Sequence, residues 1–406
     1  MNFDDEPKQA EFRSEIRAWL KGNATPKGQG NLPADLLDRY DAAKDWYQKK
    51  ASAGYACLDW PKQYGGAGLT PVHKVIWSQE MAAYEEPDEY FMIGIGNCGP
   101  AIMNFSSEED RLNLLPKMAS AEHVWCQLFS EPSAGSDVAG LRTSAKQTEN
   151  GDWCINGQKV WTSLAQFSDY GVVLCRTDPT VSKYKGLTMF IIDMQQAGVE
   201  VKPIRQIDGG AHFNEVFFND AVIPDRFRLG AVNGGWEAAL LVLMNERMAI
   251  SAGLPTGFAD FLEFVKTTEI AGEKLSQHPL VRAKLAEWHA QDAGVTAAHY
   301  RQVTAVAQGG IPGAQGAIGK LVAGRLNQEI ADFTMQLLGN SGAIWDAELS
   351  PQGGHFQHAF MYATGIRIAG GTDEIMKNIL AEQVLGLPQE PRADKGLAFQ
   401  DIPHSA

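Results

Sequence analysis

The sequence predicts an α+β multidomain protein in which a small β domain stands between two helical domains. Three observations carry this. The chain has 406 residues, beyond the size at which a single hydrophobic core stops growing. Apolar residues recur at helical spacing towards both ends, whereas residues from about 123 to 230 hold short β-prone runs separated by turns. Glycine and proline clusters fall where the texture changes, giving expected domains of 1–122, 123–230 and 231–406.

In the first domain Phe12, Ile16, Trp19 and Leu20 predict one amphipathic helix, and Leu112, Leu115 and Met118 another. The clusters Gly22-Asn23-Ala24-Thr25-Pro26 and Trp60 to Gly68 are expected as loops. In the second domain, Trp153–Ile155 and Val160–Thr162 flank Asn156-Gly157, the pattern of a hairpin turn. Further strands are expected at Leu187–Ile192, Val199–Val201 and Val216–Phe218, the last closed by Asn219-Asp220. Beyond Gly234-Gly235 the spacing predicts helices over Trp236–Ala252, Leu280–Ala298, Gly319–Leu338 and Asp373–Leu385, with a loop at Gly309, Gly310, Pro312 and Gly313.

Composition excludes several functions. No window reaches the apolar run of a membrane span, and a net charge of -14 opposes nucleic acid or an anionic membrane as the main partner. The start, Met1 to Glu6, is acidic and lacks the pattern of a signal peptide, so a cytoplasmic protein is expected. The 5 cysteines are widely spaced and never form C-x-x-C, so reduced, mostly buried thiols are expected rather than disulfides or a zinc cluster. Gly319-Lys320 lacks the upstream glycine of a P-loop, and Gly66-Ala67-Gly68 lacks the third glycine of a dinucleotide fingerprint. His355 and His358 have no third ligand at metal spacing, so no metal is expected.

Five segments can carry chemistry, although each has an ordinary structural reading. Cys126 to Asp137 is rich in small residues whose N–H groups and hydroxyls can grip a polar ligand, or simply form a turn. In Lys159-Val160-Trp161-Thr162-Ser163, strand alternation would put Trp161 and Ser163 on one face against a planar heteroaromatic ligand, unless the tryptophan is core. Val242, Glu246 and Ile250 fall four apart on a helix, setting a carboxylate on an apolar stripe where desolvation makes a general base, or where it pairs with another helix. Gln336 to Gly342 at a helix end and Ile368 to Ile375 at a helix start combine close-approach glycines with a capping threonine, Thr372.

Taken together and in order, these segments resemble the acyl-CoA dehydrogenase family, whose middle domain carries C-x-x-x-S/T-E-P-x-A-G-S-D. The resemblance runs from Trp60-Pro61 to Leu385-Gly386-Leu387-Pro388. It implies a middle β-barrel or sandwich, a C-terminal four-helix bundle, bound FAD and a homotetramer or homodimer. Leu128, Ser130, Trp161 and Ser163 then match flavin-ring contacts, Gln336 and Gly339 a stretch that reaches a neighbouring subunit's FAD, and Thr372 and Glu374 the adenosine side. Ser136 and Arg247 match substrate contacts, and the Gly370 N–H a donor to the thioester oxygen.

Three departures qualify this. Many members hold the catalytic glutamate where Gly370 stands, whereas isovaleryl- and long-chain-type members place it in a Glu-Arg pair that Glu246-Arg247 matches. Ser133 replaces a usual glycine, and Thr268 a frequent FAD-contacting arginine, ahead of Ala271-Gly272 in place of Phe-Gly. The resemblance implies α,β-dehydrogenation of an acyl-CoA, with Glu246 taking the α-proton, flavin N5 taking the hydride, and an electron-transfer flavoprotein as acceptor. An oxidase or monooxygenase on the same fold, or a non-catalytic flavin-binding partner, are the alternatives. The acyl group stays open between linear, branched, aromatic and steroid-like.

Overall fold

The computed structural model describes residues 5–30, 36–253, 256–270, 272–308, 310, 313–346 and 348–403, with the backbone alone for 36, 248–253, 306 and 307. Met1 to Asp4, the Ile250 side chain, Ala271, Gly309 and Pro312 therefore lie outside the described residues. Compactness groups Met1–Asn245 with Arg392–Ala406, and Glu246–Pro391 as a second unit. The division by texture at 122 and 230 marks changes of secondary structure inside the first unit.

The first unit opens with α1 (Pro7–Asn23), α2 (Leu36–Ser52), α3 (Pro71–Met81), α4 (Gly99–Phe105) and α5 (Glu108–Ala119). Pro7 starts α1 and Gln9 accepts from the Glu6 N–H, so the first turn is closed by its own side chains. Its buried face is Phe12, Ile16 and Leu20, the predicted stripe. On α5 the buried face is Leu114, Leu115 and Met118, and Leu112 is exposed instead. Lys50 is buried on α2 between the carboxylates of Glu86 and Asp88, which also accept from the indoles of Trp77 (2.8 Å) and Trp46 (3.0 Å). Every polar group in this buried cluster is thereby paired.

The β domain comprises β1 (Trp125–Leu128), β2 (Ser144–Gln147), β3 (Trp153–Ser163), β4 (Tyr170–Arg176), β5 (Leu187–Asp193), β6 (Val199–Ile204), β7 (Phe213–Ile223) and β8 (Arg228–Leu229). They form one sheet in the order β6-β7-β3-β2-β4-β5-β8, with β1 parallel to β4. The central strands β4 and β5 are buried on both faces, which explains their nearly unbroken apolar runs. Val172, Leu174, Met189 and Ile191 meet the helical side, including Trp60, Leu115 and Trp125, while Val173, Cys175, Phe190 and Ile192 fill the inner side with Trp153 and Phe218.

The expected hairpin at Asn156-Gly157 does not form; β3 runs straight through it and the register against β7 shifts there. Gly157 serves a close approach instead, since a Cβ would sit 2.5 Å from Thr143 Oγ1. Asn156 exchanges hydrogen bonds with Asp220 (2.8 and 3.0 Å), and β7 likewise continues through Asn219-Asp220 rather than ending before it. Two bulges on β3 do what a turn was expected to do, bending the chain without reversing it.

In the second unit, α6 (Gly235–Gly253) enters from the first, followed by α7 (Phe258–Thr267), α8 (Pro279–Ala307), α9 (Gly316–Leu338), α10 (His355–Ile366) and α11 (Asp373–Ile379). Helices α7 to α10 pack on one another as a bundle, and α11 lies against α9. Edge-to-face rings dominate the core, Phe261 with Trp288 at 5.2 Å and Phe264 with Phe356 at 5.2 Å. Among the described residues no helix is long and apolar enough to cross a membrane. All 5 cysteines are free, and only Cys154 is not buried.

One ion pair ties the sheet to the loop after β1. Lys159 on β3, wholly buried, donates to Glu131 Oε1 (2.8 Å) and to the Phe129 carbonyl (3.0 Å). Glu131 also accepts the N–H groups of Arg142 (2.7 Å) and Thr143 (2.9 Å). Burial alone would raise the Glu131 pKa, but the Lys159 ammonium and the donated hydrogen bonds prevail and hold it below its usual 4.5.

Glu131→Gln strands the Lys159 ammonium without a counter-charge and is expected to cost about 3–5 kcal/mol, read as a lower thermal midpoint; adding Lys159→Met should recover part of it. An unchanged midpoint in Glu131→Gln would refute the assignment. Because the folded pKa is depressed, this stabilisation is present above 4.5 and lost as pH falls through the lower folded value. Acid unfolding of the wild-type chain should therefore steepen below that pH, and Glu131→Gln should flatten that limb.

Candidate flavin and substrate site

The first unit presents a loop and a strand edge held by the Glu131–Lys159 pair. The Ser130 carbonyl accepts from Val160 (2.9 Å), and Glu131 and Ala134 exchange backbone hydrogen bonds (3.1 and 3.0 Å) around Pro132-Ser133. Ser133 is exposed and does not take up a left-handed backbone, so the turn does not need the usual glycine. Ser130 is half-buried and Ser136 exposed. Leu128 is fully buried beside Gly171, main chain and side chain alike, so no part of it is accessible to a ligand here.

Trp161 is not a core residue. It is 58% exposed, stands at the second β3 bulge with φ 59°, and touches Phe213 edge to face at 6.1 Å. A non-glycine residue in the left-handed region costs about 1–3 kcal/mol, so the fold holds a large ring outward at its own expense. The bulge means that strand alternation does not set the relation of Trp161 to Ser163; both are nevertheless accessible on either side of buried Thr162. The Thr162 Oγ1 has no hydrogen-bond partner among the described residues.

In the second unit, Glu246 and Arg247 are half-buried on α6. Burial draws the Arg247 pKa down, and the neighbouring Glu246 carboxylate opposes that. Gln336 and Gly339 are exposed at the end of α9; Gln336 is held by Asp332 (2.8 Å), and Gly339 ends the helix at φ 55°. Thr372 caps α11, accepting from Ile375 N–H at 3.2 Å.

The turn before Thr372 is built by residues that sequence reasoning missed. Lys320, buried on α9, donates to the carbonyls of Arg367 (2.8 Å) and Gly371 (2.7 Å). Arg367 grips Asp373 (2.8 and 2.5 Å) and Gln328 (2.8 Å). Gly370 (φ 64°) and Gly371 (φ 98°) are both left-handed. An open pocket of about 220 Å³ results, lined by Gln328, Thr364, Arg367, Ile368, Thr372, Asp373 and Glu374. A lysine among Ala317, Ala323 and Gly324 on a helix face was the legible signal, since a buried ammonium must find acceptors.

Taken separately, the outward aromatic ring and accessible hydroxyls of the first unit suit a flavin ring, and the polar pocket with a capping threonine in the second suits a polar part of a dinucleotide. At the position of the absent arginine, Thr268 follows α7, its carbonyl takes the Leu275 N–H (3.2 Å), and the adjoining two-residue strands carry Glu269 and Glu273. Among the described residues no group of His, Cys, Asp or Glu is arranged to hold a metal ion.

Comparison with known proteins agrees with this organisation. Residues 6–122, 126–221 and 233–385 match the N-terminal, middle and C-terminal domains of acyl-CoA dehydrogenases. The chain is 34% identical over 397 residues to acyl-CoA dehydrogenase IpdE1 of Mycobacterium tuberculosis, covering 94% of this chain and 98% of that one. It is 37% identical over 344 residues to acyl-CoA dehydrogenase FadE34 of the same organism, covering 84% of this chain and 45% of that one. Among solved structures, the ChsE4-ChsE5 complex from M. tuberculosis superposes with a TM-score of 0.82 at 26% identity, over 96% of this chain and 100% of that one. The chain belongs to the acyl-CoA dehydrogenase family, oxidoreductases of lipid catabolism whose cofactor is FAD.

Proposed function

We propose that this chain dehydrogenates an acyl-CoA thioester to the trans-2-enoyl-CoA, with Glu246 as the base that removes the α-proton. The observation that carries the assignment is at Gly370. Where many relatives hold a carboxylate, this chain has a left-handed glycine inside a turn pinned by Lys320, which leaves Glu246, half-buried beside Arg247, as the base. Bound FAD would supply a two-electron acceptor for the β-hydride.

The chain's own groups do the rest. The Glu246 carboxylate takes the α-proton onto an oxygen while Arg247, next to it, keeps a positive charge near the developing negative one. The Gly370 N–H donates to the thioester oxygen, and Ser136 holds the CoA arm. Trp161, Ser130 and Ser163 hold the flavin ring, Thr372 and Glu374 face its adenosine half, and Gln336 and Gly339 serve a neighbouring subunit. Electrons pass on to an electron-transfer flavoprotein. The assembly is a homodimer or homotetramer; the two-protein name of the ChsE4-ChsE5 complex makes pairing with a second, different chain the alternative that light scattering on the purified protein decides.

Anaerobic mixing with a panel of acyl-CoA thioesters should bleach the flavin with some of them, and so identify the acyl group. Glu246→Gln should slow bleaching by about 10²–10⁴-fold with FAD still bound; intact bleaching would reassign the base. Rapid reoxidation in air without a carrier protein would instead favour an oxidase.

Trp161→Gly relieves the left-handed strain while removing the ring. FAD affinity should fall about tenfold with no loss of apoprotein thermal midpoint. A large drop in that midpoint would mean that the indole supports the fold rather than the flavin.

A further inference from the structure

The segment 392–403 returns to the first unit and lies on the connection between β4 and β5. Phe399 N–H donates to the Val181 carbonyl (2.8 Å) and Gln400 N–H to that of Pro179 (3.0 Å). The Asp394 carboxylate meets Lys183 at 2.5 Å and takes two hydrogen bonds from Arg392 (3.0 and 3.1 Å). The Phe399 ring covers the Arg176 guanidinium at 3.8 Å.

Both groups held by this segment reach on to the loop that follows Ser136. Lys183 grips the two Asp137 oxygens, each at 2.9 Å. Arg176 donates to the carbonyls of Ala139 and Lys183, each at 2.6 Å. Lys183 and Arg176 are buried, whereas the Asp137 side chain is 59% exposed. An exposed carboxylate paired with a free-swinging lysine gains little, because ordering the long side chain costs as much as the contact returns. A lysine already fixed by Asp394, with its own carbonyl fixed by Arg176, meets that cost before it reaches Asp137. Two carboxylates on one ammonium also leave Lys183 without spare charge for a phosphate, so its part is to position rather than to bind. The Arg392 hydrogen bonds, with those of Lys183, hold the Asp394 carboxyl down at about 2, so the contact stays charged through the neutral range.

We propose that residues 392–403 form a positioning strap: Asp394 acting through Lys183, and Phe399 acting through Arg176, fix the loop Asp137–Gly140 and so orient Ser136 towards the CoA arm of the substrate. The last clause rests on Ser136 being a CoA contact; the hold on the loop does not.

The test compares holoenzyme of the wild-type chain with Asp394→Asn, Phe399→Ala and a chain ending at Pro391. Amide exchange over residues 134–141 should quicken about tenfold in the truncation and less in the single variants, with exchange in β3 and β7 unchanged. KM for the acyl-CoA found by bleaching should rise several-fold while kcat stays within about twofold, and Lys183→Arg should keep wild-type behaviour where Lys183→Met does not. Unchanged exchange at 134–141 in both single variants overturns the strap, whatever the enzyme's activity. Faster exchange with an unaltered KM upholds the strap and overturns the link from Ser136 to substrate. Should the truncated chain fail to fold, the two single variants decide the question.

Discussion

The buried pairing of Glu131 with Lys159 is the constraint on which the loop after β1 and the strand beside it depend. A lone carboxylate or ammonium at that depth would be too costly to keep charged, so each enforces the presence of the other. Once paired, they fix more than themselves. Glu131 gathers the N–H groups of Arg142 and Thr143, and Lys159 takes the Phe129 carbonyl, so the chain on both sides of Ser130–Ser136 is tied to β3. The loop can then be short of side chains and still hold one shape. Arg142 and Thr143 in turn lie just beyond the loop that the C-terminal segment supports, so the two anchoring systems meet end to end on one stretch of chain.

The second unit solves the same problem with the same chemistry. Lys320 is buried among small residues and has backbone carbonyls as its acceptors, which forces the Gly370-Gly371 turn against α9. Arg367 and Asp373 complete it from the flanks. In both units a lysine inside the protein organises a glycine-rich or serine-rich loop at its surface. The loops carry the residues proposed to meet ligand, and the lysines hold the loops from behind.

How much of this the sequence discloses follows from the range of the interactions. Local periodicity fixes α1, α6 and α9, because the buried face of a helix is written every three or four residues. The pattern is silent where the decisive partner is far away in sequence. Asn156-Gly157 reads as a hairpin locally, yet Thr143 approaches so closely that glycine is needed for space, and Asp220 occupies the asparagine. Trp161 reads as core by composition, and only the bulge against β7 turns it outward. Helices α7 and α10 were overlooked although Phe261, Phe264 and Val265 carry the spacing, since short helices between breakers give few repeats. Motif order singles out Glu246 and Thr372 as candidates, whereas Gln328, Arg367 and Lys320 escape it, because nothing nearby in the chain marks a residue that works by reaching another helix.

The backbone at Trp161 has a consequence on an evolutionary scale. A left-handed conformation is one that glycine adopts without strain, so selection for stability alone would favour glycine at this position, and keeping a tryptophan there calls for an opposing benefit from the exposed ring. Under the proposed flavin role, that benefit would end in a gene copy that no longer binds the cofactor, while the strain would remain. A descendant sequence with glycine at this site would then be expected to keep the fold and to have given up the ring.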